Sequence, residues 1–271
     1  MKYVYFGTPE FSADILTALV RAGMPPVALV TNPDRPAGRA KAMTPPPAKA
    51  AALGCGAGID ILQPERLDAA FAAMLAKYGA DVGILAAYGK IVPPSVFAAF
   101  PKGIVVVHPS LLPKYRGATP LQAAILAGDA ETGTTLFVMD EKVDHGPVIA
   151  ERAVPVAPDE TYATLAKKLS ATSAELLIAA VPGYLSGATG SVPQDESAAT
   201  YTKKLATDDA FVDIEKDPPE RIVRMVRALN PEPGAWTMKN GRRMKILAAE
   251  LADGALVITR YQFAGELSRS D

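Results

Sequence analysis

Apolar residues along this chain fall into short β-branched runs that alternate with alanine- and leucine-rich stretches over the first two-thirds of its length. Lys2–Phe6, Val27–Thr31, Ile59–Leu62, Asp81–Ala86, Gly103–Val107 and Thr135–Met139 read as strands. Several are apolar at successive positions, the pattern of strands covered on both faces rather than on one. Phe11–Ala22, Ala48–Leu53, Leu67–Tyr78 and Leu121–Leu126 read as helices, and Ile15, Leu16, Leu19 and Val20 share one helical stripe. Strands alternating with helices require crossover connections, so the pattern predicts an open, mainly parallel α/β sheet with helices on both faces. A longer helix over about Thr161–Val181 packs on that sheet, with Asp159 or Thr161 available as its cap.

Composition shifts after that helix. Residues 186–206 are rich in Gly, Ser, Thr and Pro and read as a linker. The chain thus divides into a domain over residues 1–185, the linker, and a small domain over 207–271. The small domain reads as one helix at Pro219–Leu229 followed by strand-like pieces at Ala235–Met238, Met244–Leu251 and Ala255–Phe263. Asn240-Gly241 is a two-residue hairpin signal between the first two of those pieces.

The bulk numbers bound this picture without redirecting it. The chain has 271 residues, 49% of them apolar, with a net charge of −1. That is enough apolar material for a sizeable core, and no global attraction for nucleic acid. No run is long enough to cross a membrane. The N-terminus lacks a signal-peptide layout, and Cys55 is the single cysteine. A cytoplasmic, monomeric protein is expected.

The chemistry concentrates at two strand ends. The chain has two histidines, His108 and His145. His108 emerges from the Gly103–Val107 run at the carboxyl end of a buried strand, where open α/β sheets bind ligands. The loop after it, Pro109-Ser110-Leu111-Leu112-Pro113, sets two leucines between prolines and forms a rigid apolar wall. Asp144 lies in the polar turn after another strand and is suited to orient or charge the imidazole. A third segment, Thr31–Pro47, is long for a connection and carries Arg35, Arg39 and Lys41 against Asp34, which suits contact with a polyphosphate or an RNA end. GxGxxG, GxxxxGK, HExxH, CxxC and GxSxG patterns are all missing, so dinucleotide, P-loop, metal and serine-hydrolase chemistry have no sequence support.

Taken together, Phe6-Gly7-Thr8-Pro9-Glu10-Phe11, the Asn32–Arg39 loop, Ala87-Tyr88-Gly89, His108-Pro109-Ser110-Leu111-Leu112-Pro113 and Asp144 resemble the methionyl-tRNA formyltransferases. The likeness continues through Pro193-Gln194-Asp195-Glu196, Thr200–Leu205 and Asn230–Trp236. The resemblance implies a Rossmann-like catalytic domain, a small barrel-like C-terminal domain, 10-formyltetrahydrofolate as donor, the charged initiator tRNA as acceptor, and no metal. Carried over by position, it implies His108 and Asp144 as the catalytic pair. Ala87, Tyr88, Gly89, Ser110, Leu111, Leu112, Pro113 and Asp140 fall on folate-contacting positions, and Arg35, Arg39 and Lys41 on a loop that meets tRNA.

Two departures stand out. Val106 replaces the family's asparagine two residues before the histidine, and loss of one donor to a developing oxyanion costs about 10²–10³ in rate. A substitute donor is then needed, with His145 or a bound water as candidates. The small domain is also shortened, since only Ala-Asp-Gly separates Leu251 from Ala255. Its ten basic residues from Thr207 onward face eleven acidic ones, with Lys239, Arg242, Arg243 and Lys245 as a local basic group. Two other readings stay open: a formyltransferase acting on a small amine such as an amino sugar nucleotide, and a catalytically weakened folate- or RNA-binding relative.

Overall fold

A computed structural model describes residues 1–38 and 41–270. In chain order the elements are β1 (Tyr3–Gly7), α1 (Glu10–Arg21), β2 (Ala28–Val30), β3 (Arg35–Ala37), β4 (Ala42–Thr44), α2 (Pro47–Gly54), β5 (Asp60–Leu62), α3 (Ala69–Ala76), β6 (Val82–Ala86), α4 (Pro94–Phe97), β7 (Ile104–His108) and the short β8 (Arg116–Gly117). Then come α5 (Pro120–Ala127), β9 (Glu131–Val138), β10 (Val148–Pro155), α6 (Tyr162–Ser186), the short β11 (Tyr201–Thr202), α7 (Pro219–Leu229), β12 (Trp236–Lys239), β13 (Arg242–Ala252), β14 (Ala255–Phe263) and β15 (Arg269–Ser270). They divide into two compact units. One is Met1–Arg116, Gly133–Ala153 and Lys167–Ala199; the other is Gly117–Thr132, Val154–Ala166 and Thr200–Asp271.

The first unit is built on a seven-stranded sheet in the order β10-β9-β7-β6-β1-β2-β5. β7, β6, β1, β2 and β5 run parallel, and β9 lies antiparallel to β7 with His108 opposite Thr135. Alternation within single strands explains why the parallel strands are apolar throughout. Tyr3, Tyr5, Val105 and Val107 point into one core with Ile15, Leu16 and Leu19 of α1, Ala48 of α2 and Leu177 of α6. Val4, Phe6, Ile104 and Val106 point into the other, with Phe71 and Leu75 of α3 and Val96 of α4. After β1 the chain steps outward to β2 and β5 and then returns to β6 on the other side of β1. The crevice at the carboxyl ends of β1 and β6 is therefore the topological switch point, where sheets of this kind bind ligands.

Three elements differ from the sequence reading, each for a local reason. β10 carries Glu151, Arg152 and Ala153 exposed in mid-strand, so its apolar signal is broken, as edge strands allow. The cationic loop contains the β3–β4 hairpin with Pro36 inside β3, a residue tolerated only where no ladder hydrogen bond is needed. α6 extends to Ser186; at its start Thr161 Oγ1 accepts from the Thr164 N–H at 3.2 Å, the capping bond that the sequence offers.

The second unit is a four-stranded antiparallel sheet in the order β12-β13-β14-β15, with α5 and α7. Ile222, Met225, Val226 and Leu229 give α7 its buried face. The β12–β13 turn is Asn240-Gly241, with φ of 52° and 72°, and Asp253-Gly254 repeats the device between β13 and β14 with 49° and 79°. Two positive φ values in a two-residue loop match the strand twist and close a hairpin directly. β13 turns straight into β14, so the described strands form a short antiparallel meander, the reduced version of the barrel-like domain that the resemblance implies. No helix among the described residues is long and apolar enough to cross a membrane.

Candidate functional site

His108 ends β7, and its side chain lies on the same strand face as Val106, two residues earlier. The imidazole is buried. Its Nε2 is 2.9 Å from the Tyr115 carbonyl oxygen, and its Nδ1 is 3.6 Å from Asp144 Oδ2. A carbonyl can only accept, so Nε2 carries a proton and Nδ1 is the position that faces the carboxylate. Burial draws the imidazole below its ordinary pKa, against the opposing pull of Asp144 and the Tyr115 carbonyl. Near neutral pH the ring is accordingly uncharged, with a free lone pair toward Asp144. A distance of 3.6 Å is too long for a hydrogen bond.

The loop after His108 is tied down by side chains from its own residues and from β9. Ser110 Oγ donates to the Lys114 carbonyl at 2.6 Å, Thr135 Oγ1 donates to the Ser110 carbonyl at 2.7 Å, and the Leu112 N–H donates to Thr135 Oγ1 at 3.1 Å. Leu112 is buried, and the Leu112–Pro113 peptide is cis. Leu111 lies over Gly133 of β9, where any Cβ would overlap the leucine side chain. The glycine in that strand thus makes room for the wall.

At the end of β6 the backbone leaves the ladder through Ala87 (φ 50°) and Gly89 (φ 83°). Tyr88 between them is buried edge-on against Phe6, and burial pushes its phenol up to about 12. Its carbonyl accepts from Thr8 Oγ1 at 3.0 Å and Asn32 Nδ2 at 3.2 Å, which joins the ends of β6, β1 and β2. Ile91 follows, 94% exposed.

Arg35, exposed on β3, lines a cavity of about 580 Å³ together with Thr8, Asn32, Pro45, Gly89 and Lys90. The cationic hairpin therefore abuts the β6 exit. Lys41 is exposed in its turn at φ 48°, and Arg39 lies outside the described residues. Asp34 does not join those cations, because Lys49 Nζ binds both its oxygens at 2.8 Å and Gln63 adds a further bond. These bonds, the Lys49 contact foremost, hold its carboxyl below the usual range.

Asp140 faces His145, whose Nδ1 donates to its Oδ2 at 2.5 Å. The other nitrogen of His145 is 3.4 Å from Glu196 Oε1. Both ring nitrogens thus face carboxylates, Nδ1 in a hydrogen bond and Nε2 in a longer ion pair. Val106 sits in the apolar cluster of Phe6, Leu112 and Phe137.

Sequence reasoning missed Arg116, Gln194 and Glu196. Arg116 is the largest fully buried side chain of the chain. Its Nε and Nη2 donate to Gln194 Oε1 at 3.1 and 2.8 Å, and its Nη1 and Nη2 bind the two Glu196 oxygens at 3.1 and 2.6 Å. Gln194 Nε2 in turn donates to the carbonyls of Asp144 at 3.0 Å and Gly146 at 2.8 Å. Their one signal in sequence was the Pro193–Glu196 match, which the compositional reading set inside a linker.

A buried imidazole facing a carboxylate at the end of β7, one strand from the switch point of a doubly wound sheet and followed by a stiff apolar loop, is the kind of arrangement that α/β enzymes use for proton transfer during group transfer. The formyl transferase family model matches residues 1–181, and that for the formyl transferase C-terminal domain matches 204–266. A methionyl-tRNA formyltransferase of Halorhodospira halophila is 44% identical over 93% of this chain and 81% of its own length; one from a Roseiflexus species is 45% identical over 93% and 77%. Among solved structures, a methionyl-tRNA formyltransferase from Clostridium thermocellum superposes with a TM-score of 0.65 at 15% identity, covering 97% of this chain and 98% of that one. HypX from Aquifex aeolicus in complex with tetrahydrofolic acid gives 0.71 at 18%, covering 99% of this chain and 45% of that one. These two structural likenesses bear on the fold alone. The chain belongs to the formyl transferase family.

Proposed function

We propose that this protein transfers a formyl group from 10-formyltetrahydrofolate to the amino group of methionyl-tRNA, with His108 and Asp144 as its proton-handling pair. The observation that carries the reading is their meeting at the end of β7, one strand from the switch point, in a chain whose likeness to methionyl-tRNA formyltransferases runs through both units. The residues fit a folate. Leu111 and Pro113, backed by the buried Leu112, and the exposed Ile91 offer apolar surface, while the backbone of Ala87–Gly89 and the Asp140 turn frame the crevice. Arg35, Arg39 and Lys41 supply the positive charge for the tRNA acceptor end, and Tyr88 acts through its main chain, since its ring is buried.

The folate supplies a formyl carbon bonded to a nitrogen that leaves. A bond forms from the methionyl nitrogen to that carbon, and the bond to the folate nitrogen breaks. The amine gives up a proton in doing so, and the Nδ1 lone pair of His108, backed by Asp144, takes it directly or through a water. The imidazolium then lies between two acceptors, the Tyr115 carbonyl and the Asp144 carboxylate, both of which favour its charge. Val106 offers no donor and both imidazolium nitrogens face acceptors, so the imidazolium meets negative charge on the formyl oxygen through its field and not through a hydrogen bond of its own. His108 finally returns the proton to the leaving nitrogen.

The test is an assay with 10-formyltetrahydrofolate and charged initiator tRNA, run beside amino sugar nucleotides. Formyl-methionyl-tRNA is the expected product. Product only with the sugars, or none with any acceptor while folate still binds, would overturn the reading.

A further inference from the structure

We infer that Gln194 is a positioning residue for Asp144, anchored by the buried Arg116. The claim rests on the catalytic reading of His108 and Asp144 and adds a requirement to it.

Asp144 occupies a tight turn between β9 and β10. Its φ is 48°, in the left-handed region where an L side chain is strained. Gly146, two residues on, lies so close to β9 that a Cβ there would overlap the Val138 carbonyl oxygen. A conformation of this kind persists only where the surroundings over-determine it. Gln194 does so by donating both of its amide hydrogens, one to the carbonyl before His145 and one to the carbonyl after it. Its own oxygen is fixed by two Arg116 hydrogens, so the amide cannot flip without losing four bonds.

Arg116 is held in turn. Two further hydrogens bind Glu196 as a fork, and the guanidinium holds that carboxyl below the ordinary glutamate range. Glu196 also reaches His145, the residue between the two gripped carbonyls. Upstream, Val192 pairs with Val148 through two backbone hydrogen bonds of 2.7 and 2.8 Å, which sets the register of the whole segment against β10. Gln194 and Glu196 thus both reach the turn that presents Asp144 to His108, and Val192 fixes their segment beside it.

Gln194→Glu is the discriminating variant. It keeps an acceptor for Arg116 and removes the NH₂ that grips the turn. A displacement of about 1 Å at a reacting group costs on the order of 10²-fold, so kcat should fall by about 10- to 100-fold with the folate KM within about threefold. In an Asp144→Asn background the same substitution should cost little more, because the residue it positions is already disabled. A readout without catalysis comes from the imidazoles: with two histidines in the chain, ¹⁵N titration of His108 is assigned by comparison with His145→Gln. The His108 titration should move to lower pH in Gln194→Glu, as it should in Asp144→Asn, since the carboxylate that favours its charge has moved. Should Gln194→Glu fail to fold, Gln194→Met, which fills the same length without donors, takes its place.

An unchanged kcat and His108 titration in a folded variant would overturn the inference. So would a loss of kcat that simply multiplies with that of Asp144→Asn. If the wild type forms no formyl-methionyl-tRNA, it is the functional reading that fails, and the His108 titration still decides this one.

Discussion

Replacing Val106 by asparagine should raise turnover and lower stability, and both effects can be sized from its surroundings. Val106 is 5% exposed, among Phe6, Leu112 and Phe137. Giving up that burial costs about 1.5–2 kcal/mol, and a buried amide that finds no partner adds about 1–3 kcal/mol. At about 2–4 °C per kcal/mol for a protein of this size, the melting temperature should fall by about 5–20 °C. In return the strand alternation puts the new amide on the His108 face, where it can donate to a developing oxyanion. A recovered donor of that kind should raise kcat by about 10- to 100-fold, a barrier change of about 1.4–2.7 kcal/mol. Folate affinity should hold, because the charge it meets exists only in the transition state. Calorimetry, folate titration and initial rates with charged initiator tRNA measure the three quantities separately. A folded Val106→Asn protein with normal folate affinity and an unchanged or lower kcat would refute the claim that valine limits this site.

Other outcomes follow from the same geometry. The acid limb of kcat/KM should lie below the ordinary histidine value of 6.5, since burial depresses His108, and Asp144→Asn should move it lower still. The linked stability is present above pH 6.5 and lost as pH falls through the depressed folded value; urea melts of wild type against His108→Gln across that window will show it. Arg35→Ala with Lys41→Ala should weaken tRNA use, reduce its salt slope by about 0.7–0.9 per lost phosphate contact, and spare folate binding, as salt-dependent kinetics will report. Gly146→Ala should cut kcat and lower the melting temperature together, because the turn must shift away from the Val138 carbonyl.

The sheet was legible because burial on both faces writes itself into consecutive positions: Ile104–Val107 needs no partner to be read as a strand. The hairpin turns were legible for a similar reason, since Asn240-Gly241 has few other conformations to adopt. His108 stood out by its place at a strand end. What stayed hidden was whatever depends on distant partners. Arg116, in a Tyr-Arg-Gly loop, carries every mark of a surface charge, and its burial is supported by two side chains some eighty residues on. Asp140 and His145 were separately conspicuous, yet nothing local says that they bond each other. The Gly/Ser/Pro-rich stretch before β11 was read by composition, which is silent about Val192 pairing with β10.

That pairing has a consequence for how the catalytic unit comes into being as the chain is made. Every strand of the large sheet has left the ribosome by the time Pro155 appears, and the last helix on it by Ser186. A chain stopped there can collapse its core, yet Arg116 would be enclosed without Gln194 or Glu196, and the turn bearing Asp144 would have no grip on either side of His145. Assembly of the two apolar layers about the sheet and completion of the turn that bears Asp144 are therefore separate events, the second delayed until about ten more residues are synthesised. Any autonomous catalytic fragment of this protein has to run past Glu196, and the unit's own boundary at Ala199 meets that condition with three residues to spare.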